Sequence, residues 1–384
     1  MAKTAYLADQ VFDGAALHRS AALLVANGVS DGIAPPDDVP SGYHRIDLGP
    51  GLIAPGFVDL QVNGGGGVMF NDAPSVQTLR RMSAALRRLG TTAFLPTLIT
   101  DRPETTRAAI EAAAEAISQA VPGVIGLHLE GPHLSLARKG AHDPALIRPM
   151  EDGDLAQLCD AAARLPNLMV TVAPEAVTPA QIARLAQSGA VVSLGHSDAD
   201  FAACLSAAEA GATCVTHLFN AMSQLGNREP GLVGAALDHG SLSAGLIADG
   251  IHVHPATTAA ALRAKTGPGA IFLVTDAMAT AGSDIDGFLL NGRRIERREG
   301  RLTLADGTLA GADLDFPQAL RVLVSQVGVP LEQALGMCSS GPAAVLPRPG
   351  LCGRLRAGAR ADFVHLDPAL TLCGVWGGGA PVPR

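Results

Sequence analysis

The sequence is poor in aromatic residues, in basic runs and in long apolar stretches. Only 3% of its 384 residues are Phe, Trp or Tyr, and a formal net charge of -8 without a Lys/Arg run argues against nucleic-acid binding. The first residues, MAKTAYLADQ, lack the charged-then-apolar pattern of a signal peptide, and the apolar run at 21–25 is too short to cross a bilayer. We therefore expect a cytoplasmic protein with neither nucleic-acid nor membrane partners.

Closely spaced cysteine pairs are also missing. The six cysteines lie at 159, 204, 214, 338, 352 and 373, and no two of them form a C-x-x-C motif. Most of them sit in apolar surroundings, where a small thiol behaves as a core side chain. We interpret the cysteines as structural and predict no disulfide framework.

What the sequence does contain is a regular alternation of short apolar runs and Ala-rich stretches of helical length. This alternation is typical of repeated βα units with a parallel sheet. Helices are predicted at 76–89, 103–120, 179–188 and 199–210. Eight strands can be counted, namely LIAPGFVDLQV from residue 52, TAFLPT from 92, VIGLHLE from 124, LMVTVAP from 168, VVSLGH from 191, TCVTHLF from 213, LSAGLIAD from 242 and IFLVTDA from 271.

Eight βα units predict a (β/α)₈ barrel, a fold that needs about 250 residues. We assign residues 53–345 to this barrel, with a β-hairpin excursion at 284–309 after the last strand. Residues 1–52 and 346–384 contain short strands separated by Gly, Pro and Asp. Because neither end can build a core alone, we predict that both ends form one small β-sandwich domain beside the barrel.

Polar residues at the ends of the predicted strands are candidates for the active site. In such barrels the catalytic groups come from the carboxyl ends of the strands. The rule selects Gln61 and Asn63 after strand 1, Glu130 after strand 3, His196 after strand 5, His217 at strand 6 and Asp276 at strand 8.

The chemistry of this set indicates metal-assisted hydrolysis. Glu130, His196 and His217 offer one carboxylate and two imidazoles, which suit a divalent metal such as zinc. Asp276 is then placed to take a proton from water and to pass it to a leaving amine. An isolated His in an apolar strand is more often a hydrogen-bonded core residue. Several such residues at strand ends together favour a site over that interpretation.

Other histidines are assigned lesser roles. His128 lies two residues before Glu130, so it faces the same side one layer deeper in the barrel, where it could support the metal ligands. His252 follows Asp249-Gly250 in a predicted loop and is interpreted as a substrate contact, whereas His254 is taken as incidental.

Eight segments together carry a family resemblance. They are LIAPGFVDLQVNGGGG, GLHLEGPHLSLARKGAH, VTVAPE, SLGHSDA, THLFNAM, GNREPGLVG, ADGIHVHP and LVTDAMATAG. They closely resemble N-acetylglucosamine-6-phosphate deacetylases of the amidohydrolase superfamily, and the resemblance runs over nearly the whole chain. It implies hydrolysis of the acetamide of N-acetylglucosamine 6-phosphate to glucosamine 6-phosphate and acetate.

The resemblance also assigns roles to individual residues. It implies that Glu130, His196 and His217 are the metal ligands and that Asp276 is the catalytic acid/base. Many superfamily members carry an H-x-H pair at the end of strand 1, where this chain has Gln61-Val62-Asn63. This difference favours one divalent ion per subunit, zinc by preference, with Gln61 and Asn63 near the metal and its water.

The substrate contacts are likewise implied by the resemblance. His142 in KGAH would contact the sugar and polarise the acetyl carbonyl. Arg228 would reach the phosphate from the neighbouring subunit of a homodimer, where its planar guanidinium suits a phosphate dianion. The remaining sugar or phosphate contacts are His252, Asn220 and the Ala221 backbone.

Three alternatives remain open on the sequence alone. The first is the galactosamine epimer of the substrate, which differs in the orientation of one hydroxyl. Another amidohydrolase activity, on a cyclic amide or an N-acyl amino acid, is disfavoured by the pattern of Arg228 and His252. A sugar-phosphate sensor without catalysis is motivated by the missing H-x-H pair. The segment LAGADLDF at 309–316 departs from the family pattern, which leaves the acyl-group range open.

Overall fold

A computed structural model describes residues 3–350 and 352–383; residues 1, 2, 351 and 384 of the predicted end segments lie outside the described residues. The chain begins with five strands that build most of a small sheet. They are β1 (Lys3–Phe12), β2 (Leu17–Ala26), β3 (Val29–Ala34), β4 (His44–Asp47) and β5 (Leu52–Pro55). β1 pairs antiparallel with β2 and parallel with both β4 and β5.

The centre of the molecule is an eight-stranded parallel barrel. A two-residue ribbon, β7 (Gly64–Gly65) and β8 (Val68–Met69), follows the first barrel strand. The barrel strands are β6 (Phe57–Val62), β9 (Thr91–Ile99), β10 (Leu127–Glu130), β11 (Leu168–Val172), β12 (Val191–Leu194), β13 (Cys214–Val215), β14 (Ser243–Leu246) and β15 (Ile271–Leu273). Each pairs in parallel with the next in this order.

The barrel closes where its first and last strands meet. The backbone N–H of Asp276 donates to the carbonyl of Gln61 at 3.0 Å, and that of Asn63 donates to the carbonyl of Ala277 at 2.8 Å. These bonds bring the predicted polar ends of strands 1 and 8 side by side. The predicted (β/α)₈ fold is therefore confirmed.

Ten helices in the described chain accompany the strands. They are α1 (Val76–Arg88), α2 (Pro103–Ser118), α3 (Asp152–Arg164), α4 (Pro179–Gln187), α5 (Phe201–Glu209), α6 (Gly231–Asp238), α7 (Pro255–Ala264), α8 (Phe316–Val322), α9 (Leu331–Met337) and α10 (Ser340–Val345). Local sequence explains several starts. The Ser75 side chain caps α1, and Thr178 with Gln181 forms a capping box on α4. Among the described residues, no helix combines the length and the apolar character needed to cross a membrane.

The segment after the last barrel strand is larger than the predicted hairpin. It forms a four-stranded antiparallel sheet, called here the accessory sheet: β16 (Gly287–Leu290), β17 (Arg293–Arg298), β18 (Arg301–Thr303) and β19 (Leu309–Ala312). Its apolar face, with Phe288, Leu290 and Ile295, packs on Ile99 and Met278 beside the barrel mouth.

The chain ends in three strands that return to the small sheet. These are β20 (Phe363–Leu366), β21 (Leu372–Gly377) and β22 (Ala380–Pro381). β20 pairs antiparallel with β5, so that both chain ends contribute to one sheet. A separate core contains Leu23, Ile53 and Phe363, with Trp376 stacked on Phe363 at a centroid distance of 4.7 Å. The small β-sandwich domain from both ends is confirmed as part of the fold class.

Candidate active site

Four of the polar residues predicted from strand ends meet at the carboxyl mouth of the barrel. Glu130 is the last residue of β10, and His196, His217 and Asp276 follow β12, β13 and β15 by two or three residues. The last three have positive φ angles of 47°, 28° and 50°. Such backbone is costly for a residue with a side chain, and residues strained in this way cluster at active sites.

Glu130, His196 and His217 converge on a single point. Oε1 of Glu130 lies 3.0 Å from Nε2 of His196 and 3.0 Å from Nε2 of His217, and the two nitrogens are 3.0 Å apart. All three side chains are buried. Burial tends to raise the pKa of Glu130, but the two histidines outweigh burial and hold that pKa well below its ordinary value. The carboxyl is therefore ionised.

The hydrogen-bonding state of His196 shows what the cluster can bind. Its Nδ1–H donates to the carbonyl of Arg138 at 2.8 Å, so in the neutral ring Nε2 carries a lone pair and no proton. This lone pair and the Glu130 carboxylate point at the same place as the Nε2 of His217. Three ligand atoms of this type, buried and convergent, fit a divalent cation.

His142 lies close enough to form an alternative trio. Ligand atoms of Glu130, His142 and His196 lie within 4.8 Å of one another. All three separations within the set containing His217 are 3.0 Å, and we therefore favour His217 as the third ligand. His142 is instead held from the side, with Nδ1 2.7 Å from Oγ1 of Thr100.

The tautomer of His142 suits a hydrogen-bond donor. The backbone N–H of Thr100 also points at Nδ1, at 3.4 Å, which makes this nitrogen an acceptor and leaves the proton on Nε2. Burial, and then the charge of His196, hold the pKa of His142 well below its ordinary value. His142 therefore presents a neutral imidazole with one N–H for a substrate oxygen.

Gln61 and Asn63 fill the space between Glu130 and Asp276. Nε2 of Gln61 donates to Oε2 of Glu130 at 3.1 Å and to Oδ1 of Asp276 at 3.2 Å. Nδ2 of Asn63 donates to the same Oδ1 at 2.6 Å. Burial, and then the charge of Glu130, raise the pKa of Asp276 to about 6. Asp276 is thus a carboxyl poised near neutrality, as a general acid/base requires.

The predicted sugar and phosphate contacts lie around the same cavity, with one exception. His252, Asn220 and Ala221 line a cavity of about 360 Å³ together with the trio, His142 and Asp276. Nδ1 of His252 is 2.6 Å from Oδ2 of Asp249, which fixes the ring and leaves Nε2 for a ligand. Arg228 is exposed on the loop after β13 and is not among the described residues that line the cavity.

Several lining and supporting residues escaped prediction from the sequence. Thr100 directly follows β9, so the strand-end rule could have found it. Arg138 and Met278 line the cavity from segments that carry the family resemblance, but no role was assigned to them. Leu309 and Gly311 of β19 line it from the 309–316 segment, which the sequence connects with the acyl-group range. His128 does lie deeper in the barrel, where its ring bonds the carbonyl of Leu60 and the hydroxyl of Thr171.

Both the sequence and the fold match known proteins. The sequence profile of the amidohydrolase family matches residues 52–381. The chain is 48% identical to N-acetylgalactosamine-6-phosphate deacetylase from Shewanella sp. (strain ANA-3), over 86% of this chain and 82% of the relative. It is 33% identical to N-acetylglucosamine-6-phosphate deacetylase from Haemophilus influenzae, over 93% of both chains. The crystal structure of N-acetylglucosamine-6-phosphate deacetylase from Pasteurella multocida superposes with a TM-score of 0.94 at 34% identity, over 99% of both chains.

Proposed function

The chain belongs to the amidohydrolase family, and we propose that it hydrolyses the acetamide of N-acetylglucosamine 6-phosphate to glucosamine 6-phosphate and acetate. The observation that carries the proposal is the convergence of Glu130, His196 and His217 beside Asp276 in one buried cavity. The relatives named above support the substrate class, since each is named as a deacetylase of an amino-sugar 6-phosphate.

The metal is assigned to Glu130, His196 and His217 as one divalent ion per subunit, with zinc as the preferred ion. An ion held there would polarise the amide carbonyl and acidify a water beside it. Gln61 and Asn63 stand where an H-x-H pair would bind a second metal ion. Their side-chain amides donate instead to the carboxylates of Glu130 and Asp276. We therefore propose a single-metal site.

The chain's own residues supply the proton transfers. Oδ1 of Asp276 accepts from both Gln61 and Asn63, so Oδ2 is the oxygen that takes a proton from the attacking water. The same carboxyl then gives that proton to the leaving amine. His142 donates from Nε2 to the carbonyl oxygen as negative charge develops on it. Burial of all these groups strengthens each interaction because water is excluded.

Substrate binding is assigned to the outer part of the cavity. His252, fixed by Asp249, and Asn220 with the Ala221 backbone contact the sugar phosphate. We propose that Arg228, which is exposed and does not line the cavity of its own chain, completes the phosphate site from the neighbouring subunit of a homodimer. We further propose a cytoplasmic enzyme of amino-sugar catabolism and recycling, with the barrel at 53–345 and the end segments 1–52 and 346–384 as the small domain.

The test is acetate release by purified protein of known metal content. We expect rapid release from N-acetylglucosamine 6-phosphate with about one metal per chain, loss of activity after chelation, and slow release from the unphosphorylated sugar. A fully metallated protein that releases no acetate from either phosphorylated epimer would contradict the deacetylase assignment and would favour a sensor or another amide substrate.

A second candidate substrate is N-acetylgalactosamine 6-phosphate. It is favoured by the 48% identical Shewanella relative, which is named for that activity. The two epimers differ at one hydroxyl, so the same site residues serve both. Comparing kcat/KM on the two substrates under the same conditions decides between them, and a higher value for the galactosamine epimer would replace the first candidate.

A further inference from the structure

The accessory sheet reaches across the cavity mouth to the loop that carries His142. Thr308, Leu309 and Gly311 line the cavity, and residues of the 137–142 loop line it as well. Ala141 of that loop packs against the apolar cluster beneath the accessory sheet. The two walls of the cavity are therefore in contact, although about 150 residues of sequence, including most of the barrel, separate Ala141 from β17.

Alternation along β17 sorts its four arginines into two classes. Arg293, Ile295 and Arg297 face inward, whereas Arg294 and Arg298 face solvent with side chains 59% and 79% exposed. The tight Asn291–Gly292 turn, with φ angles of 48° and 76°, places Arg293 at the start of the strand, opposite Leu290. This end of β17 is the one that meets the loop.

The two inward arginines bind different partners. Nε of Arg297 donates to Asp313 at 2.7 Å and its Nη1 donates to the carbonyl of Ser283 at 3.0 Å, both within the segment that carries the accessory sheet. Nη2 of Arg293 instead donates to the carbonyl of Ala141, the residue directly before His142. Of these hydrogen bonds, only the one from Arg293 joins the sheet to the loop that carries His142.

We propose that Arg293 is a positioning residue for the reaction, which holds the Ala141 carbonyl and thereby aims His142 at the substrate carbonyl. Thr100 fixes the ring of His142 on its Nδ1 side, and Arg293 fixes the backbone from which the ring projects. A hydrogen bond from a charged donor is stronger than one between neutral groups, so a single guanidinium can hold a loop that has little regular structure. This role rests on the proposed function, because positioning His142 affects turnover only if His142 assists the proposed hydrolysis.

The first arm of the test needs no substrate. We would compare amide hydrogen exchange at residues 136–142 in the wild-type protein, Arg293→Ala and the neighbouring Arg294→Ala, which removes the same side chain from the solvent face. We expect faster exchange in this segment for Arg293→Ala alone, with the unfolding midpoint close to that of Arg294→Ala. Equal protection of the segment in all three proteins would overturn the proposal, whether or not the protein proves to be a deacetylase.

The second arm uses kinetics on N-acetylglucosamine 6-phosphate. We expect Arg293→Ala to lower kcat by about ten-fold while KM stays within about two-fold, because the phosphate contacts lie elsewhere. Arg293→Lys should recover part of kcat through a single hydrogen bond. It also replaces the alanine variant in the measurement if that variant folds poorly.

In the background of His142→Ala, Arg293→Ala should have no further effect on kcat. An undiminished effect in that background, or an unchanged kcat in Arg293→Ala, would overturn the proposal. Wild-type protein that releases no acetate would contradict the proposed function and leave the exchange result to decide the loop contact.

Discussion

Two side-chain amides, of Gln61 and Asn63, donate to Oδ1 of Asp276 and hold its side chain in place. A substitution that keeps this oxygen can therefore test the proposed proton transfer without disturbing the site. We predict that Asp276→Asn lowers kcat by about 10³-fold or more, near the upper range for general acid/base catalysis. Asn keeps the size of the side chain, so metal content and binding of the sugar phosphate should persist. Acetate release and equilibrium binding of glucosamine 6-phosphate measure the two effects. A variant that retains more than a tenth of wild-type kcat would remove Asp276 from the proton path.

His142 and His217 can be told apart by metal content. The Nε2 atoms of His196 and His217 lie 3.0 Å apart, which supports His217 as the proposed third metal ligand, whereas Thr100 bonds His142 from the side. We predict that His217→Asn weakens zinc binding by more than the roughly 10–100-fold that is typical of supporting residues. His142→Asn should bind the metal normally and should be slow in turnover. Competition with a chromophoric chelator makes the comparison, and metal loss in His142→Asn with retention in His217→Asn would reverse the assignment.

The sequence predicts those residues of this site that are ionisable and stand at the end of a predicted strand. Glu130, His196, His217 and Asp276 were found in this way, since an ionisable residue that ends an apolar run is conspicuous. Arg293 could not be found, because its partner is a backbone carbonyl and carbonyls carry no sequence signal. The exposed position of Arg228 leaves its phosphate contact a prediction.

The first and last barrel strands are joined by a buried carboxyl as well as by backbone hydrogen bonds. Oδ1 of Asp59 on β6 accepts from the N–H groups of Gln61 and Thr275, each at 3.2 Å, and the Thr275 hydroxyl donates to Oδ2. Burial nevertheless raises the pKa of Asp59 to about 7. The closure of the barrel therefore contains a group whose charge state changes near neutral pH.

This carboxyl predicts a pH dependence of stability. Between the unfolded pKa of 3.8 and the folded pKa of about 7, the folded chain holds a proton that the unfolded chain has released. The stabilisation from protonated Asp59 is complete below the unfolded pKa and is lost as pH rises through about 7. Between pH 5 and pH 8, denaturant unfolding should show the free energy of unfolding of the wild-type protein falling by about 2–3 kcal/mol relative to that of Asp59→Asn, because the other shifted groups are present in both proteins. Parallel pH profiles for the two proteins would contradict the prediction.

The last strand of the accessory sheet lies directly on the strand end that carries Asp276. The N–H of Ala312 donates to the carbonyl of Asp276 at 2.9 Å. At the preceding residue, Gly311, φ is 64° and a Cβ would lie 2.6 Å from Cγ of Met278 and 2.8 Å from the Asp276 carbonyl oxygen. There is thus no room for a side chain between this strand and the backbone of Asp276.

Gly311→Ala should therefore lower both stability and turnover. We predict that the steric contact displaces Asp276 and lowers kcat by about ten-fold or more. Gly307→Ala is the matched control, because Gly307 also has a positive φ of 84° but a Cβ added there would have nothing within 4 Å. It should show only the backbone cost of about 1–2 kcal/mol in denaturant unfolding, with kcat unchanged. Equal kcat values for the two variants would contradict the steric argument.

At the scale of elements, periodicity predicts strands well but does not show where one sheet passes into another. The apolar run LIAPGFVDLQV divides at Gly56 into β5 of the small sheet and β6 of the barrel. A Cβ at Gly56 would lie 2.0 Å from the Thr92 hydroxyl, which is why the chain crosses between the sheets at a glycine. Every residue of both strands is buried, so no change of pattern marks the crossing. The accessory sheet was likewise predicted as a hairpin, because its third and fourth strands are only three and four residues long.

At the scale of the whole molecule, the proposed contribution of Arg228 to a neighbouring active site can be tested by mixing. Arg228→Ala should raise KM for the phosphorylated substrate by about ten-fold or more and should leave the slow reaction of the unphosphorylated sugar unchanged. Co-expression of Arg228→Ala with Asp276→Asn should restore sites that have both Arg228 and Asp276 intact, provided that the arginine comes from the partner subunit. Activity in the mixture no higher than the sum of the separate variants would contradict the shared site.

The pairing of β5 with β1 on one side and β20 on the other also has a consequence for synthesis on the ribosome. The N-terminal strands emerge first, but the strand that covers the edge of β5 emerges only after the entire barrel. At the roughly 5–20 residues per second of translation, that delay is on the order of tens of seconds. During this interval β5 presents an open edge to any other nascent chain. The C-terminal strands thus cover a strand edge that is otherwise free to pair with another chain, in addition to completing the sheet.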